Sequence, residues 1–209
     1  MSIRGVLKKY IQYIKYDPKE FWNKHGGKNY INKYPPSGER NEGIIKQYIE
    51  ELNPSSIVDI GCGYGRYLKY LRYHFPKIKL VGVEISHTQI EQAKLYLESS
   101  NDIELYETDG KTLPFDDRVF DISFTYGCLS AIPYNKIQNY FKEIKRITKY
   151  QGIFLECNQP DKSNIINSKE YWFYHNYHSL FNGSIIEEKK INEKNGDTIF
   201  LVHLGKNNL

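Results

Sequence analysis

Apolar side chains recur along this chain with two different spacings. Short apolar runs rich in β-branched residues and bounded by Gly, Pro, Asn or Ser predict buried strands. Segments in which apolar residues return every three or four positions predict amphipathic helices. We predict strands at residues 57–60, 79–85, 103–110, 120–124 and 153–156, and helices at residues 44–52, 67–75, 90–97 and 140–147. The alternation of the two kinds of segment predicts an α/β fold with a doubly wound, mostly parallel sheet.

Three helix boundaries are predicted from one or two residues each. Asp17-Pro18 has the chemistry of an N-cap and a first helical position, which predicts a short helix over residues 19–24. Ser86 is a suitable cap for the helix that follows the second strand. Gln151-Gly152 is expected to close the last of the predicted helices before the fifth strand begins.

Residues 1–40 differ from the rest of the chain. The segment 3–16 is amphipathic and basic, and it fits either a helix packed on the domain or on a partner subunit, which we favour, or a helix at a membrane surface. Glycine and proline pairs then bracket an irregular stretch, which fits either an active-site cover or a surface loop. We predict an N-terminal helical and loop extension over residues 1–40, acting as a cap or as an interface of a homodimer, ahead of the α/β domain over residues 41–209.

Composition restricts the possible partners and the compartment. A chain of 209 residues, 26% charged and 40% hydrophobic, suits one folded domain. The net charge of +4 is too small to indicate a nucleic-acid partner. No apolar run approaches the ~20 residues of a membrane span, and lysines interrupt the N-terminal segment, so neither a span nor a signal peptide is predicted. The three scattered cysteines lack a Cys-x-x-Cys pair, which predicts no disulfide framework and no zinc site and fits the cytoplasm.

The most informative run follows the first strand and reads Asp59-Ile60-Gly61-Cys62-Gly63-Tyr64-Gly65-Arg66. Glycine accepts positive φ and lets a ligand approach the backbone closely. A strand, a glycine turn and a helix in this order are typical of a nucleotide site that faces the helix N-terminus. The dinucleotide fingerprint requires Gly or Ala where Arg66 stands, and the Gly-Lys-Ser/Thr of a P-loop is missing. The sequence therefore favours neither of those two sites.

The remaining pattern, Asp59-x-Gly61-x-Gly63-x-Gly65, resembles the first motif of the class I methyltransferases that use S-adenosylmethionine. A second resemblance is the run Leu113-Pro114-Phe115 followed by Phe120-Asp121 and an apolar strand. The resemblance spans roughly residues 40–158 and implies a seven-stranded, mostly parallel sheet with an antiparallel last strand. Residues 184–189 and 198–204 fit the two further strands, with turn residues between them.

Several residues near strand ends are predicted to bind the cofactor S-adenosylmethionine. Glu84, about 20 residues past the glycine turn, can accept hydrogen bonds from both ribose hydroxyls. By resemblance Asp109 accepts from the adenine amine and Gly110 allows a backbone contact. The predicted cofactor-binding residues are Asp59, Gly61, Gly63, Gly65, Glu84, Ile85, Asp109, Gly110 and Tyr126. The alternatives are a solvated strand-end carboxylate at Glu84 and a simple turn aspartate at Asp109.

Methyl transfer from a sulfonium is an in-line displacement, so alignment supplies much of the catalysis, and no metal is predicted. A hydroxyl acceptor also needs a general base. In this fold the connection between strands five and six often builds the acceptor pocket, and here residues 171–178 are dense in aromatics. His175 and His178 are the predicted catalytic residues. Glu156 is a second candidate base. The alternative is that the aromatics cover the sheet and the histidines lie at the surface.

We predict a methyltransferase that acts on a small molecule, by O-methylation of a hydroxylated metabolite or sugar. The Asn/Asp-Pro-Pro-Tyr/Phe motif is missing, which argues against methylation of nucleobases or amides. Two alternatives stay open. One is N-methylation of a small amine or a lipid head group, held as a cation on Trp and Tyr faces. The other is a non-catalytic protein that binds S-adenosylmethionine.

Overall fold

The computed structural model describes residues 16–33, 41–100, 102–159, 166–167, 172–192 and 196–205. Its helices are α1 (Pro18–His25), α2 (Lys28–Lys33), α3 (Glu42–Leu52), α4 (Arg66–His74), α5 (His87–Tyr96), α6 (Tyr134–Ile147) and α7 (Tyr177–Phe181), with a 3₁₀ turn at Leu129–Ala131. Its strands are β1 (Ser56–Ile60), β2 (Lys79–Glu84), β3 (Glu104–Glu107), β4 (Phe120–Tyr126), β5 (Thr148–Cys157), β6 (Ile166–Asn167), β7 (Trp172–Phe173), β8 (Ile185–Asn192) and β9 (Asp197–His203).

Seven of these strands form one sheet in the order β3-β2-β1-β4-β5-β9-β8. The first five strands of that order pair in parallel, and β9 pairs antiparallel with both β5 and β8. The predicted mostly parallel sheet with an antiparallel last strand is therefore confirmed. The strand order reverses direction between β1 and β4, and ligands of open α/β sheets bind at the carboxyl ends of the strands beside such a switch point.

The central strand β1 is buried at every position. Its side chains alternate between the two faces of the sheet, as strand geometry requires. Val58 and Ile60 join one apolar cluster, and Ile57 joins the other. Both faces are therefore covered, which is why this strand reads as a continuous apolar run rather than an alternating one.

The two predicted N-caps are confirmed. The Asp17 side chain accepts a hydrogen bond from the Glu20 amide at 2.9 Å, with Pro18 in the first turn of α1. Ser86 Oγ accepts from the Gln89 amide at 3.2 Å at the start of α5. Each cap satisfies a backbone donor that the first turn of a helix leaves without an intrahelical partner.

The predicted end of α6 is wrong. The helix ends at Ile147, and Gln151-Gly152 lies inside β5, which begins at Thr148. The early part of β5 is held by neighbours on both sides, because Gly152 pairs with Ser123 of β4 and with Val202 of β9. These partners are distant in sequence, so local turn chemistry could not reveal them.

Other predicted segments differ in extent. The strand predicted at residues 103–110 is shorter, since β3 ends at Glu107 and Gly110 adopts a positive φ of 70° in the turn that follows. Of the helix predicted at residues 3–16, only Tyr16 lies within the described residues. In the aromatic stretch predicted to build the acceptor pocket, Tyr171 lies outside them. Among the described residues no helix is both long and apolar enough to cross a bilayer.

Candidate functional site

The glycine turn joins β1 to α4 and has the backbone geometry that glycine permits. Gly61, Gly63 and Gly65 adopt φ values of 73°, 57° and 84°. A Cβ on Gly61 would lie 2.5 Å from Cys128 Sγ at the end of β4. A Cβ on Gly65 would lie 2.7 Å from the side chain of Leu97. Side chains at Gly61 and Gly65 are thus excluded for two reasons: positive φ disfavours them, and the neighbouring residues leave no room.

A cavity of about 970 Å³ opens at the carboxyl ends of β1, β2 and β4. The predicted cofactor residues that line it are Asp59, Gly61, Gly63, Glu84, Ile85, Asp109, Gly110 and Tyr126. Gly65 is predicted with them but does not line the cavity, and it lies against Leu97, the residue just after α5, instead. The structure therefore brings the residues of three separate strand ends together around one space. Their binding roles stay predictions.

Asp59 is a buried carboxyl without a protein partner. Its residue surface is 2% exposed, and within the described part of the chain its oxygens form no hydrogen bond. Burial, followed by the charge of Glu84, raises the pKa of Asp59 to about 8, against the opposing effect of Arg66. Its oxygens are not fully enclosed and open on the cavity, where a ligand could supply the partner that the protein does not.

Glu84 is buried nearby but well supported. Its Oε2 accepts from the Gly63 amide at 3.0 Å, and its Oε1 accepts from the Ile85 and Ser86 amides at 2.9 Å each. Burial is the largest influence and raises its pKa, while these amides lower it. The three bonds orient the carboxylate at the cavity wall and leave acceptor capacity for ligand hydroxyls.

Asp109 and Gly110 form the exposed side of the cavity beyond β3. Asp109 Oδ1 accepts from the Lys111 amide at 2.8 Å and the Thr112 amide at 3.2 Å, which hold the pKa of Asp109 below its usual value. Its Oδ2 forms no hydrogen bond within the described residues. The turn-forming alternative is thus observed, and one oxygen still remains for a ligand amine.

Tyr126, at the end of β4, belongs to a stacked wall of the cavity. Its ring stacks on Tyr67, with ring centroids 4.8 Å apart. The Arg66 guanidinium lies over both rings, 4.5 Å from the centroid of Tyr67 and 5.4 Å from that of Tyr126. The Arg66 side chain therefore does not obstruct the glycine turn and lies across the two aromatic faces.

Part of the N-terminal extension lies over the cavity, where α1 and α2 contribute several side chains to its lining. Asn23 accepts a hydrogen bond from Ser86 Oγ at 3.0 Å, and the Gly27 amide donates to Gln89 Oε1 at 2.9 Å, so α1 and the link to α2 are tied to the first turn of α5 and its cap. The aromatic and histidine side chains that they contribute are Phe21, Trp22, His25 and Tyr30. A role as a cap over the cofactor stays a proposal.

The two histidines predicted to be catalytic lie elsewhere. His175 is 4% exposed, and its Nε2 lies 3.0 Å from the carbonyl oxygens of Leu129 and Ile132. Burial lowers the pKa of His175 to about 4. His178 is exposed on α7, with Nε2 2.7 Å from Glu188 Oε2. Neither imidazole lines the cavity. Their catalytic role stays a prediction, which this geometry does not support.

Glu156, the second candidate base, is 1% exposed and fully hydrogen-bonded. Its Oε1 accepts from Thr125 Oγ1 at 2.8 Å and from the Leu129 amide at 3.1 Å. Its Oε2 accepts from the amide and the hydroxyl of Ser130, at 3.1 and 2.9 Å. It does not line the cavity. Glu156 therefore ties the 3₁₀ turn to β4 and β5, which is a structural role.

Tyr140 and His25 are among the residues of the cavity wall that sequence reasoning missed. Tyr140 on α6 was identified only as part of an apolar helical face, yet it lines the cavity, is 8% exposed and has no hydrogen bond within the described residues. His25 was not singled out, because nothing local distinguishes it from a surface histidine at a helix end. Within the described ranges no three His, Cys, Asp or Glu side chains are grouped closely enough to hold a metal ion.

Comparison with known proteins supports a methyltransferase domain. Residues 57–152 match the family described as "Methyltransferase domain". The chain is similar to a malonyl-[acyl-carrier protein] O-methyltransferase of Legionella pneumophila, 28% identical over 109 residues that cover 52% of this chain and 37% of that protein. It is also similar to a demethylmenaquinone methyltransferase of Thermotoga maritima, 28% identical over 133 residues that cover 62% and 55% of the two chains. The matched regions thus span about half of these relatives or less.

The fold is also found among solved structures. The PH0226 protein from Pyrococcus horikoshii aligns with a TM-score of 0.67 and 18% identity, covering 88% of this chain and 98% of that one. At this identity the likeness shows the fold alone. The family match over the glycine turn, together with the sheet order, identifies residues 57–152 as a class I methyltransferase domain, of the Rossmann-like family whose methyl donor is S-adenosylmethionine.

Proposed function

We propose that this chain transfers a methyl group from S-adenosylmethionine to a hydroxyl of a small metabolite or sugar. The observation that carries the proposal is the buried Asp59 carboxyl, which has no protein partner and lies beside the glycine turn in the same cavity as Glu84. The methionyl end of the cofactor presents an α-ammonium group, which is the kind of cation such a carboxyl requires.

The residues around the cavity fit the rest of the cofactor. Glu84, oriented by three backbone amides, would accept from the ribose hydroxyls. The free Oδ2 of Asp109 would accept from the adenine amine. The glycine turn would let the ligand approach the backbone. When bound, the cofactor supplies an activated methyl group on a sulfonium, and the residues named here hold and orient it.

The size of the cavity supports a small acceptor. A volume of about 970 Å³ lies near the upper end of the roughly 300–1,000 Å³ typical of small-ligand sites. It therefore suits a nucleoside-sized cofactor together with an acceptor of metabolite size. Phe21, Trp22 and Trp172 line the cavity as well and offer flat apolar faces to a ring or a sugar.

The lining carries charges of both signs. Lys24, Lys111 and Lys136 line the cavity, and within the described residues their ammonium groups form no ion pair or hydrogen bond. The cavity is lined as well by Asp17, Asp59, Glu84, Asp109 and Asp197. These charges do not separate a neutral hydroxyl from a protonated amine, and N-methylation of a small amine stays the alternative.

Two measurements test the proposal. Calorimetry should show binding of S-adenosylhomocysteine and no heat with NAD or ATP. Methyl-tritiated S-adenosylmethionine, incubated with the protein and a deproteinised metabolite extract, should then label a small compound on oxygen. Binding without any labelled product would indicate a non-catalytic binding protein, and heat with NAD or ATP alone would contradict the cofactor assignment.

A further inference from the structure

The last residue of α1, His25, carries an imidazole that lines the cavity. We propose that His25 is the general base that takes the proton of the acceptor hydroxyl. The inference rests on the proposed O-methylation and adds a catalytic group to it. It places that group on the N-terminal extension rather than on the connection after β5.

The hydrogen bond of His25 determines which ring nitrogen can act as a base. Its Nδ1 lies 2.9 Å from the carbonyl oxygen of Phe21. A carbonyl oxygen only accepts hydrogen bonds, so Nδ1 of the neutral ring carries the hydrogen. Nε2 is then the nitrogen with the free lone pair. Within the described residues nothing else is bonded to this ring, so Nε2 remains able to accept a proton from a bound molecule.

The ring is also held in place. It stacks on Phe21 of the same helix with ring centroids 4.3 Å apart and an interplanar angle of 25°. Phe21 lines the cavity too, which puts the two stacked rings on one side of α1. A base whose tautomer and orientation are both set by fixed partners loses little freedom when the acceptor arrives.

The helix itself is anchored at both ends across the cavity. Just before it, Tyr16 Oη donates to the carbonyl oxygen of Ala131, at 3.2 Å, in the segment that follows β4. Just after it, the Gly27 amide donates to Gln89 Oε1 on α5. Helix α1 therefore spans from the segment after β4 to α5, which follows β2. Strand β1 and its glycine turn lie between β2 and β4 in the sheet, so α1 passes over the turn and His25 lines the same cavity as the predicted cofactor residues.

The chemical step is balanced with no additional reactant. As the acceptor oxygen forms its bond to the methyl carbon, the bond between that carbon and sulfur breaks. His25 Nε2 takes the hydroxyl proton, which leaves a neutral methyl ether, S-adenosylhomocysteine and an imidazolium. The imidazolium then returns its proton to water. Removing a general base typically lowers a rate by ~10²- to 10⁴-fold.

The experiment uses the full chain with methyl-tritiated S-adenosylmethionine and the extract fraction that the wild type labels. His25→Ala should lower the labelling rate at least ~100-fold, with unchanged affinity for S-adenosylhomocysteine by calorimetry. Added imidazole should restore part of the rate, which a purely structural loss would not allow. His25→Gln serves as a second variant if the alanine form is unstable.

His74→Ala is the matched control, because His74 also ends a helix and does not line the cavity. Its rate should equal that of the wild type. A His25→Ala rate within about threefold of the wild type, with normal cofactor binding, would overturn the assignment of His25 while O-methylation stands. A wild type that binds S-adenosylhomocysteine yet labels nothing on oxygen would overturn the proposed function, and this inference with it.

Discussion

Two buried carboxyls show how a single residue marks the site. Glu156 receives four hydrogen bonds shorter than 3.2 Å from the groups around it, and Asp59 receives none from the described residues. Both are almost completely buried. A buried carboxyl that the protein satisfies indicates a structural role, whereas one that it leaves unsatisfied indicates a missing partner. This difference makes Asp59 the sharper candidate for ligand contact.

Asp59→Asn should weaken the binding of S-adenosylhomocysteine by at least ~10-fold, since a charge-assisted hydrogen bond contributes roughly 1.5–3 kcal/mol. With a pKa near 8, the Asp59 carboxyl is largely protonated at pH 7 and must ionise to hold an ammonium. Calorimetry in buffers of different ionisation enthalpy should therefore show proton release for the wild type and none for the variant. Equal proton release from both would contradict this role.

The same substitution should stabilise the unliganded chain at alkaline pH. The pKa of Asp59 is higher in the folded state than the usual 3.8, so its ionisation destabilises the fold as pH rises toward 8. The asparagine side chain cannot ionise, so the melting temperature of the Asp59→Asn variant should exceed that of the wild type at pH 8 and above, with a smaller difference at pH 4. The reverse order of melting temperatures at pH 8 would contradict the raised pKa.

At the scale of elements, the glycine turn and the end of β4 close on each other. Gly61 faces Cys128 so closely that a single methyl group would collide with it, and both residues line the cavity. Gly127, one residue earlier than Cys128, also has a positive φ, of 68°, yet a Cβ there meets nothing within 4 Å. A side chain at Gly127 would therefore meet backbone strain alone, whereas one at Gly61 would meet the same strain and a steric clash as well.

Gly127→Ala should lower the free energy of unfolding by only ~1–2 kcal/mol, the usual cost of a positive φ for a residue with a side chain. Gly61→Ala carries the same strain and a collision in addition, so it should lose more stability and abolish binding of S-adenosylhomocysteine. Urea unfolding and calorimetry measure the two effects. Similar losses in both variants would show that the contact with Cys128 relaxes easily.

At the scale of the whole molecule, the segment after β5 packs as part of the core. Phe173, Tyr177 and Phe181 are buried, and His175 lies among them with its Nε2 between two backbone carbonyls. A neutral ring donates its Nε2 hydrogen there. The low pKa of this histidine makes the stability of the fold sensitive to acid.

The chain should lose stability as pH falls from about 6.5 toward 4, because the unfolded state binds a proton that His175 cannot accept when folded. The loss attributable to this residue is at most about 3 kcal/mol. His175→Gln should show a shallower loss over the same range in urea titrations. His178→Gln is the matched control, since an exposed pair with Glu188 contributes about 1 kcal/mol or less. Parallel curves for wild type and His175→Gln would contradict the prediction.

Much of the fold and of the candidate site could be predicted from the sequence. Strand and helix spacing, the caps at Asp17 and Ser86, and the run from Asp59 to Gly65 are local features. Each is encoded within a few neighbouring residues. Because parallel strands end at one edge of the sheet, the strand order also implied that Glu84 and Asp109 would meet the glycine turn.

Only the tertiary structure decided which polar groups were satisfied and which faced the cavity. His175 can be buried because carbonyls more than forty residues earlier accept its hydrogen. The Glu156 carboxylate has no free acceptor for a ligand because Thr125 and the 3₁₀ turn supply its donors. His25 gained a position in the site because α1 is tied to α5 and to Ala131. Such contacts join residues far apart in sequence, and no local spacing encodes them. The sequence by itself thus determined the sheet and the glycine turn at the edge of the cavity, and the packing between distant segments determined which side chains face that cavity.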